Sequence, residues 1–303
     1  MTAGEVVETR VRRRSLLKVI RESRIAQGIA LIAPANAYLF IFMVVPLILV
    51  GVLSFLSRGT YGQVTFVFNL SNYSRLLDPL YGKILVYSLV VGIATTVLSI
   101  IIGYPLAYYI ARAPARQRSL LLFLVLLPFW TNFIIRIYAW IMILRAGGML
   151  DAFLQWAHIT KEPLHLLYTP TAVMIGMIYE FLPFMVLPLY TSLEKIENAV
   201  LEAAADLGAP PVRVFLRVTL PLSVPGMIAG TILVFIPAMG MFVIPDLMGG
   251  AKTVLIGNVI RNQFLTARDW PFGAAASMIL MVLTMVFTFY YARKAGFSEE
   301  LLV

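Results

Sequence analysis

The sequence predicts an all-α integral membrane protein built as a bundle of six transmembrane helices. Three observations predict it. The chain is 60% hydrophobic and only 13% charged, with a mean hydropathy of +0.88, whereas soluble domains carry roughly 25% charged residues. Six separate stretches reach the ~20 predominantly apolar residues that a membrane helix needs. Lysine and arginine divide unevenly between alternate connections, as they do across a bilayer.

The chain opens on a basic tail, residues 1–26, holding Arg10, Arg12, Arg13, Arg14, Lys18, Arg21 and Arg24. Such a tail before an apolar span fits an anchor on anionic headgroups, and equally a solvated arm. Nucleic-acid binding ranks far behind both, because no aromatic platform is interleaved with the basic run. The six expected spans are 28–55, 84–109, 120–144, 169–190, 222–247 and 272–291. The first is too long for a signal peptide and lacks a small-residue cleavage site. Together they make a transmembrane domain over 27–294, leaving 295–303 as a short tail. With the amino terminus inside, the inner segments hold 15 Lys and Arg and the outer ones 8, with Arg136 inside the third span. Both termini are therefore expected in the cytoplasm.

Two irregularities interrupt this pattern. The connection 191–221 is long, and Leu193, Ile196, Val200, Leu201, Ala204 and Leu207 recur through it at helical spacing. Long ordered loops in compact bundles usually carry function. The fifth span contains Pro237, Gly240 and Pro245, followed by Gly249 and Gly250. A helix broken in this way is tolerated in a membrane where it is buried in protein or lines a watery cavity, and a packing kink is the alternative. A short outer amphipathic segment, 256–264, precedes re-entry at Trp270 and Pro271.

Several classes are excluded. The chain has no cysteine, which removes disulfides, thiolate metal sites and cysteine nucleophiles. His158 and His165 stand without a ligand cluster, so no metal is expected. No H-E-x-x-H, G-x-S-x-G or Walker phosphate loop occurs, which argues against a polytopic enzyme and against ATP hydrolysis by this chain. An ion-coupled carrier would need internal repeats and intramembrane ion ligands, and none is evident.

Within 191–221 the chain reads Glu202-Ala203-Ala204, three residues, Gly208, nine residues, then Val218-Thr219-Leu220-Pro221. This resembles the EAA loop of ABC-importer permeases, with valine where isoleucine is usual. The alanines allow close approach of another protein. Gly208 and the Pro210-Pro211 pair end one helix and start a second. The resemblance implies that Glu202 is a loop-orienting or interface residue beside the coupling residues Ala203 and Ala204, Gly208 the turn, and 212–216, with Val212, Arg213, Phe215 and Leu216, the helix that docks on an ATPase. A purely structural amphipathic loop is the rival reading.

The resemblance narrows further, to the spermidine/putrescine permeases of that family. It rests on Leu70-Ser71-Asn72-Tyr73, Asp78-Pro79-Leu80-Tyr81, Leu127-Pro128-Phe129-Trp130-Thr131-Asn132 and Leu182-Pro183-Phe184-Met185. Pro237-Ala238-Met239-Gly240, the run 246–252 and the segments 256–260 and 268–273 add to it. It implies a place in a bacterial inner membrane, a second homologous permease, two ATPase subunits that bind ATP and Mg, an extracytoplasmic binding protein, and no cofactor in this chain. Importers of an opine, thiamine or iron complex share the loop and remain the alternative. A polyamine path wants carboxylates and aromatic faces, which singles out Trp130, Tyr179, Glu180 and Asp246. Against this, Glu180 has Arg136 as a possible partner, Asp246 can cap the Gly-rich turn, and Trp130 with Tyr138 and Trp140 suits an interface belt.

Overall fold

The computed structural model describes residues 24–250 and 252–294; the basic tail up to residue 23 and residues 295–303 lie outside it. The first span is α1 (Arg24–Leu39), a π-helical turn (Phe40–Val44) and α2 (Val45–Ser54). Pro46 has no N–H to donate to the preceding turn, and the wider turn before it absorbs that loss. Leu39, Phe40, Ile41 and Phe42 are all more than half exposed, so this span meets lipid or another chain; α2 rests on the last helix. A small hairpin, β1 (Ser57–Arg58) against β2 (Val64–Thr65), and α3 (Ser71–Leu76) follow.

Three helices make the core: α4 (Pro79–Arg112), α8 (Pro170–Glu194) and α12 (Val224–Gly240), each packed against the other two. α4 starts on Asp78, whose side chain accepts from the Leu80 amide at 2.8 Å, with Pro79 in the first turn. Ala107, Ile110, Met177, Met185, Leu189 and Val234 are fully enclosed between these helices. In lipid, association depends on close packing, which small residues permit. At Gly226 an added Cβ would lie 2.4 Å from the Pro188 carbonyl oxygen, so α12 meets α8 nearly backbone to backbone. Gly226→Val is therefore expected to destabilise the bundle by about 1–3 kcal/mol, read as a lower melting temperature of the purified protein in detergent.

The third apolar stretch departs from expectation. It is not one helix over 120–144 but α5 (Ala115–Leu126), a 3-10 turn (Leu127–Trp130) and α6 (Phe133–Leu144). Pro128 withdraws a donor, and Asn132 caps the new helix by accepting from the Ile134 amide at 2.9 Å. The run long and apolar enough to cross is 133–156, which includes α7 (Met149–Trp156). In the first turn of α7 the buried Asp151 carboxylate accepts from the amides of Gly147 before the helix and Leu164 after it, at 2.8 and 3.0 Å, tying the following loop back to the helix start.

After α8 come α9 (Asn198–Asp206), α10 (Pro211–Val214), a π-helical turn (Phe215–Thr219) and α11 (Leu220–Leu222). The run 211–222 meets α12 at a bend of 62°. The fifth span is shorter than expected: α12 has 17 residues, roughly 25 Å. It stops where Gly240 and the extended Met241 break it, and α13 (Val243–Met248) folds back on α8. α14 (Ile256–Leu265) lies on α15 (Trp270–Lys294), a short helix and a long one where the amphipathic segment and the final span are expected. Among the described residues five helical runs are long and apolar enough to cross a membrane, and the bent run 211–240 makes six.

Candidate functional site

Two places in the bundle carry the sequence-derived residues, and they are built differently. The first is the loop 191–221. α9 ends where Gly208 adopts φ +80°, its amide donating to the Ala205 carbonyl at 2.8 Å and the Ala209 amide to Ala204 at 3.2 Å. That is a left-handed helix stop, for which glycine is suited. Pro210 is extended, Pro211 begins α10, and the amides of Arg213 and Val214 return to the Pro210 carbonyl. The result is a helix–turn–helix projecting from one end of the bundle.

Its two sides differ. Glu202, Ala203, Gly208, Val212, Arg213 and Leu216 are exposed, and Leu207 is 90% exposed. Leu207, Val212 and Leu216 present apolar surface with nothing over it in this chain, an arrangement that suits a protein partner. Glu202 makes no hydrogen bond or ion pair among the described residues. Two of the residues grouped for docking face the other way. Ala204 is half-buried, and the ring of Phe215 sits edge-on to Tyr104 and Tyr108 of α4, with centroids 5.6 and 6.2 Å away. Phe215 therefore ties the loop to the bundle.

The root of the loop is gripped by arginines that sequence reasoning counted only as charge markers. Arg112 Nη1 donates to the Ile196 carbonyl at 3.2 Å and to Asn198 Oδ1 at 2.8 Å. Arg118 pairs with Glu194 at 2.6 Å and donates to the carbonyls of Ala111 and Ala113. A short basic turn facing a long helical insert was the available signal.

The second place is an ion pair inside the bundle. Arg136 of α6 donates from Nη2 to Glu180 Oε1 of α8 at 3.0 Å, with both side chains about nine-tenths buried. The guanidinium carbon lies 5.3 Å from the Phe129 ring and 5.9 Å from Phe133, and one turn away Trp140 meets Tyr179 edge-on at 5.4 Å. Nε and Nη1 of Arg136 are buried without a hydrogen-bond partner. This is a small polar island with aromatic walls in an apolar bundle. The ion-pair alternative for Glu180 is thus what the geometry contains.

The other two candidates do not join this island. Trp130 is 76% exposed, edge-on to Phe123 at 5.3 Å, while its neighbour Phe129 turns inward onto Phe184. Asp246 on α13 accepts from Asn258 Nδ2 and pairs with Arg261, both on α14. It neither caps the glycine turn nor stands open; it fastens α13 to α14. Among the described residues no cluster of His, Asp and Glu has the grouping a metal ion requires.

Comparison with known proteins places this architecture. The chain is 47% identical over 258 residues to the spermidine/putrescine transport system permease protein PotB of Escherichia coli K12, covering 85% of this chain and 94% of that one. It is 46% identical to the protein of the same name from Haemophilus influenzae, covering 85% and 91%. The fold is shared with a crystal structure of a bacterial ABC transporter involved in import of the acidic polysaccharide alginate. There the TM-score is 0.66 at 17% identity, covering 93% of this chain and 98% of that one. Residues 99–295, which include the EAA-type loop and the α8–α12 core, match the family described as binding-protein-dependent transport system inner membrane component. The chain belongs to that family and is a non-catalytic permease subunit of an ABC importer.

Proposed function

We propose that this permease carries polyamines, spermidine or putrescine, across the inner membrane, sharing the translocation path with a second, homologous permease. The observation that carries the reading is the 47% identity to PotB through 85% of the chain, which runs well beyond the coupling loop that all such permeases have in common. An inner-membrane transporter permease of Escherichia coli, YdcU, is 30% identical, and a molybdenum permease, ModB of Azotobacter vinelandii, 28%. The lower identity to the molybdenum permease favours the polyamine cargo over that solute.

Two ATPase subunits bind ATP and Mg and dock on the exposed edge formed by Glu202, Ala203, Val212, Arg213 and Leu216; an extracytoplasmic binding protein delivers the polyamine. In this reading the termini and the loop 191–221 lie in the cytoplasm, the orientation that the Lys and Arg asymmetry supports. Nucleotide binding closes the ATPases, the loop carries that movement to the spans, and hydrolysis resets them. Glu180 with Tyr179 supplies the cation-attracting point of the path. Arg136 holds the carboxylate in the absence of substrate, and an arriving ammonium competes for it. Trp130 flanks the path from an exposed position. Asp246 acts by holding α13 against α14.

Uptake of radiolabelled spermidine by cells lacking their own polyamine permeases tests this, with the chain expressed beside its partners. Uptake that unlabelled putrescine competes and thiamine does not is expected. Absence of spermidine uptake with a correctly inserted complex overturns the cargo.

A further inference from the structure

One face of α4 touches the loop 191–221 at its root, its middle and its end. Tyr104, Tyr108 and Arg112 follow at i, i+4 and i+8, so they stand in a row along one side of the helix, roughly 12 Å long. Arg112 holds the root through Ile196 and Asn198. Tyr104 and Tyr108 take the Phe215 ring edge-on at the middle. The Tyr104 hydroxyl shares a 2.8 Å hydrogen bond with Ser223 Oγ, at the 62° bend where the loop becomes α12. The row is itself joined, since the Arg112 guanidinium lies 5.7 Å from the centre of the Tyr108 ring.

The burial of these contacts gives them mechanical weight. Tyr104 is 7% exposed and Ser223 fully buried; the Ser223 hydroxyl also donates to the Leu220 carbonyl at 2.9 Å, so parting the pair strands the Tyr104 hydroxyl in an apolar setting. Phe215 is the residue of the docking helix that turns inward, directly between the exposed Val212 and Leu216 surface and α4. Arg118 of α5 also holds the root, through Glu194, but α4 is the element that supplies a gripping side chain at all three points.

We propose that α4 receives the ATPase movement, and that Tyr104, Tyr108 and Arg112 are the positioning residues that transmit it from the loop to the core. The proposal rests on the importer reading above but not on the identity of the cargo. A displacement of α9 and α10 pulls on Arg112 at one end and drives Phe215 against the tyrosines at the middle. α4 then moves as a rod and carries α8 and α12, against which it is packed. A contiguous contact network becomes a coupling route only when its interruption changes the coupling, so the test is of coupling and not of activity.

The chain has no cysteine, so single cysteines can carry spin labels cleanly. In the full complex with its ATPase partners, labels go on Tyr109 of α4, which is 62% exposed, and on Ala205, an exposed residue of the loop outside the edge proposed for docking. Distances to a fixed label on the opposing permease are read before and after vanadate trapping of nucleotide. In the otherwise native protein both labels shift on trapping. In Tyr108→Ala and Arg112→Gln the loop label still shifts while the α4 label stays, and Tyr108→Phe restores the α4 shift because the ring contact needs no hydroxyl. In the same variants the substrate moved per ATP hydrolysed falls about threefold or more. An α4 shift that persists in both variants overturns the proposal, as does a transported-per-ATP ratio that is unchanged, whether the two activities are intact or fall in parallel. Failure of the native complex to respond to polyamine would count against the cargo alone, because the trapped shift is read without substrate.

Discussion

Gly208→Val is expected to cut substrate-stimulated ATP hydrolysis by the assembled importer about tenfold or more while leaving membrane insertion intact. Gly208 sits at φ +80°, and a Cβ there would meet nothing within 4 Å. The penalty is therefore one of backbone conformation and not of space. An L-residue in that region costs about 1–2 kcal/mol, and a β-branched one is a genuine outlier. That is too little to unfold a bundle whose core lies elsewhere. It is enough to favour another turn geometry, which would swing α9 away from α10 and split the exposed edge that Glu202, Val212 and Leu216 share. A loss of about tenfold or more in stimulated hydrolysis follows from such a shift. Gly208→Asn, which tolerates left-handed backbone, should keep most of the activity. Retention by asparagine and loss by valine would tie the effect to the turn. Glu202→Lys, which reverses an exposed charge on the same edge, should uncouple without disturbing the fold.

Glu180→Ala is expected to have the largest effect on the protein itself. It leaves the Arg136 guanidinium in the bundle with no counter-charge, and two of its nitrogens already have no partner. Breaking a buried pair from one side costs about 3–5 kcal/mol, so the single variant should give little monodisperse protein in detergent. Replacing both residues by methionine removes the stranded charge, and such exchanges are often neutral in stability. The double variant Arg136→Met with Glu180→Met should therefore recover the yield of folded protein. Under the proposed role of Glu180 it should still fail to take up spermidine. Recovery of both yield and uptake would reduce the pair to a packing device and remove Glu180 from the path.

What the sequence disclosed was local. Span number follows from apolar length, and the helix–turn–helix from the placement of Gly208, Pro210 and Pro211, each acting within a few residues of itself. The breaks at Gly240 and at Thr131–Asn132 had equally local causes. Only the first was anticipated, because two prolines and a glycine fall together there, whereas Pro128 and Asn132 lie inside a window whose average hydropathy hides them. The contacts that need tertiary structure were out of reach. Arg112 and Asn198 are separated by 86 positions, Tyr104 and Ser223 by 119, and nothing in either neighbourhood names the other. Glu180 and Arg136 were visible as two costly charges in spans, and their pairing was one of two solutions that burial allows. Asp246 looked available only because its partners, Asn258 and Arg261, sit in a segment whose amphipathic pattern says nothing about which residue they face.

The central claim is an ATP-driven polyamine importer in which this chain supplies half of the path. Its most direct test is the ATPase activity of the reconstituted complex with its binding protein, titrated in turn with spermidine, putrescine and thiamine. Stimulation by one or both polyamines and none by thiamine is the predicted result. Stimulation by thiamine with none by either polyamine would contradict it.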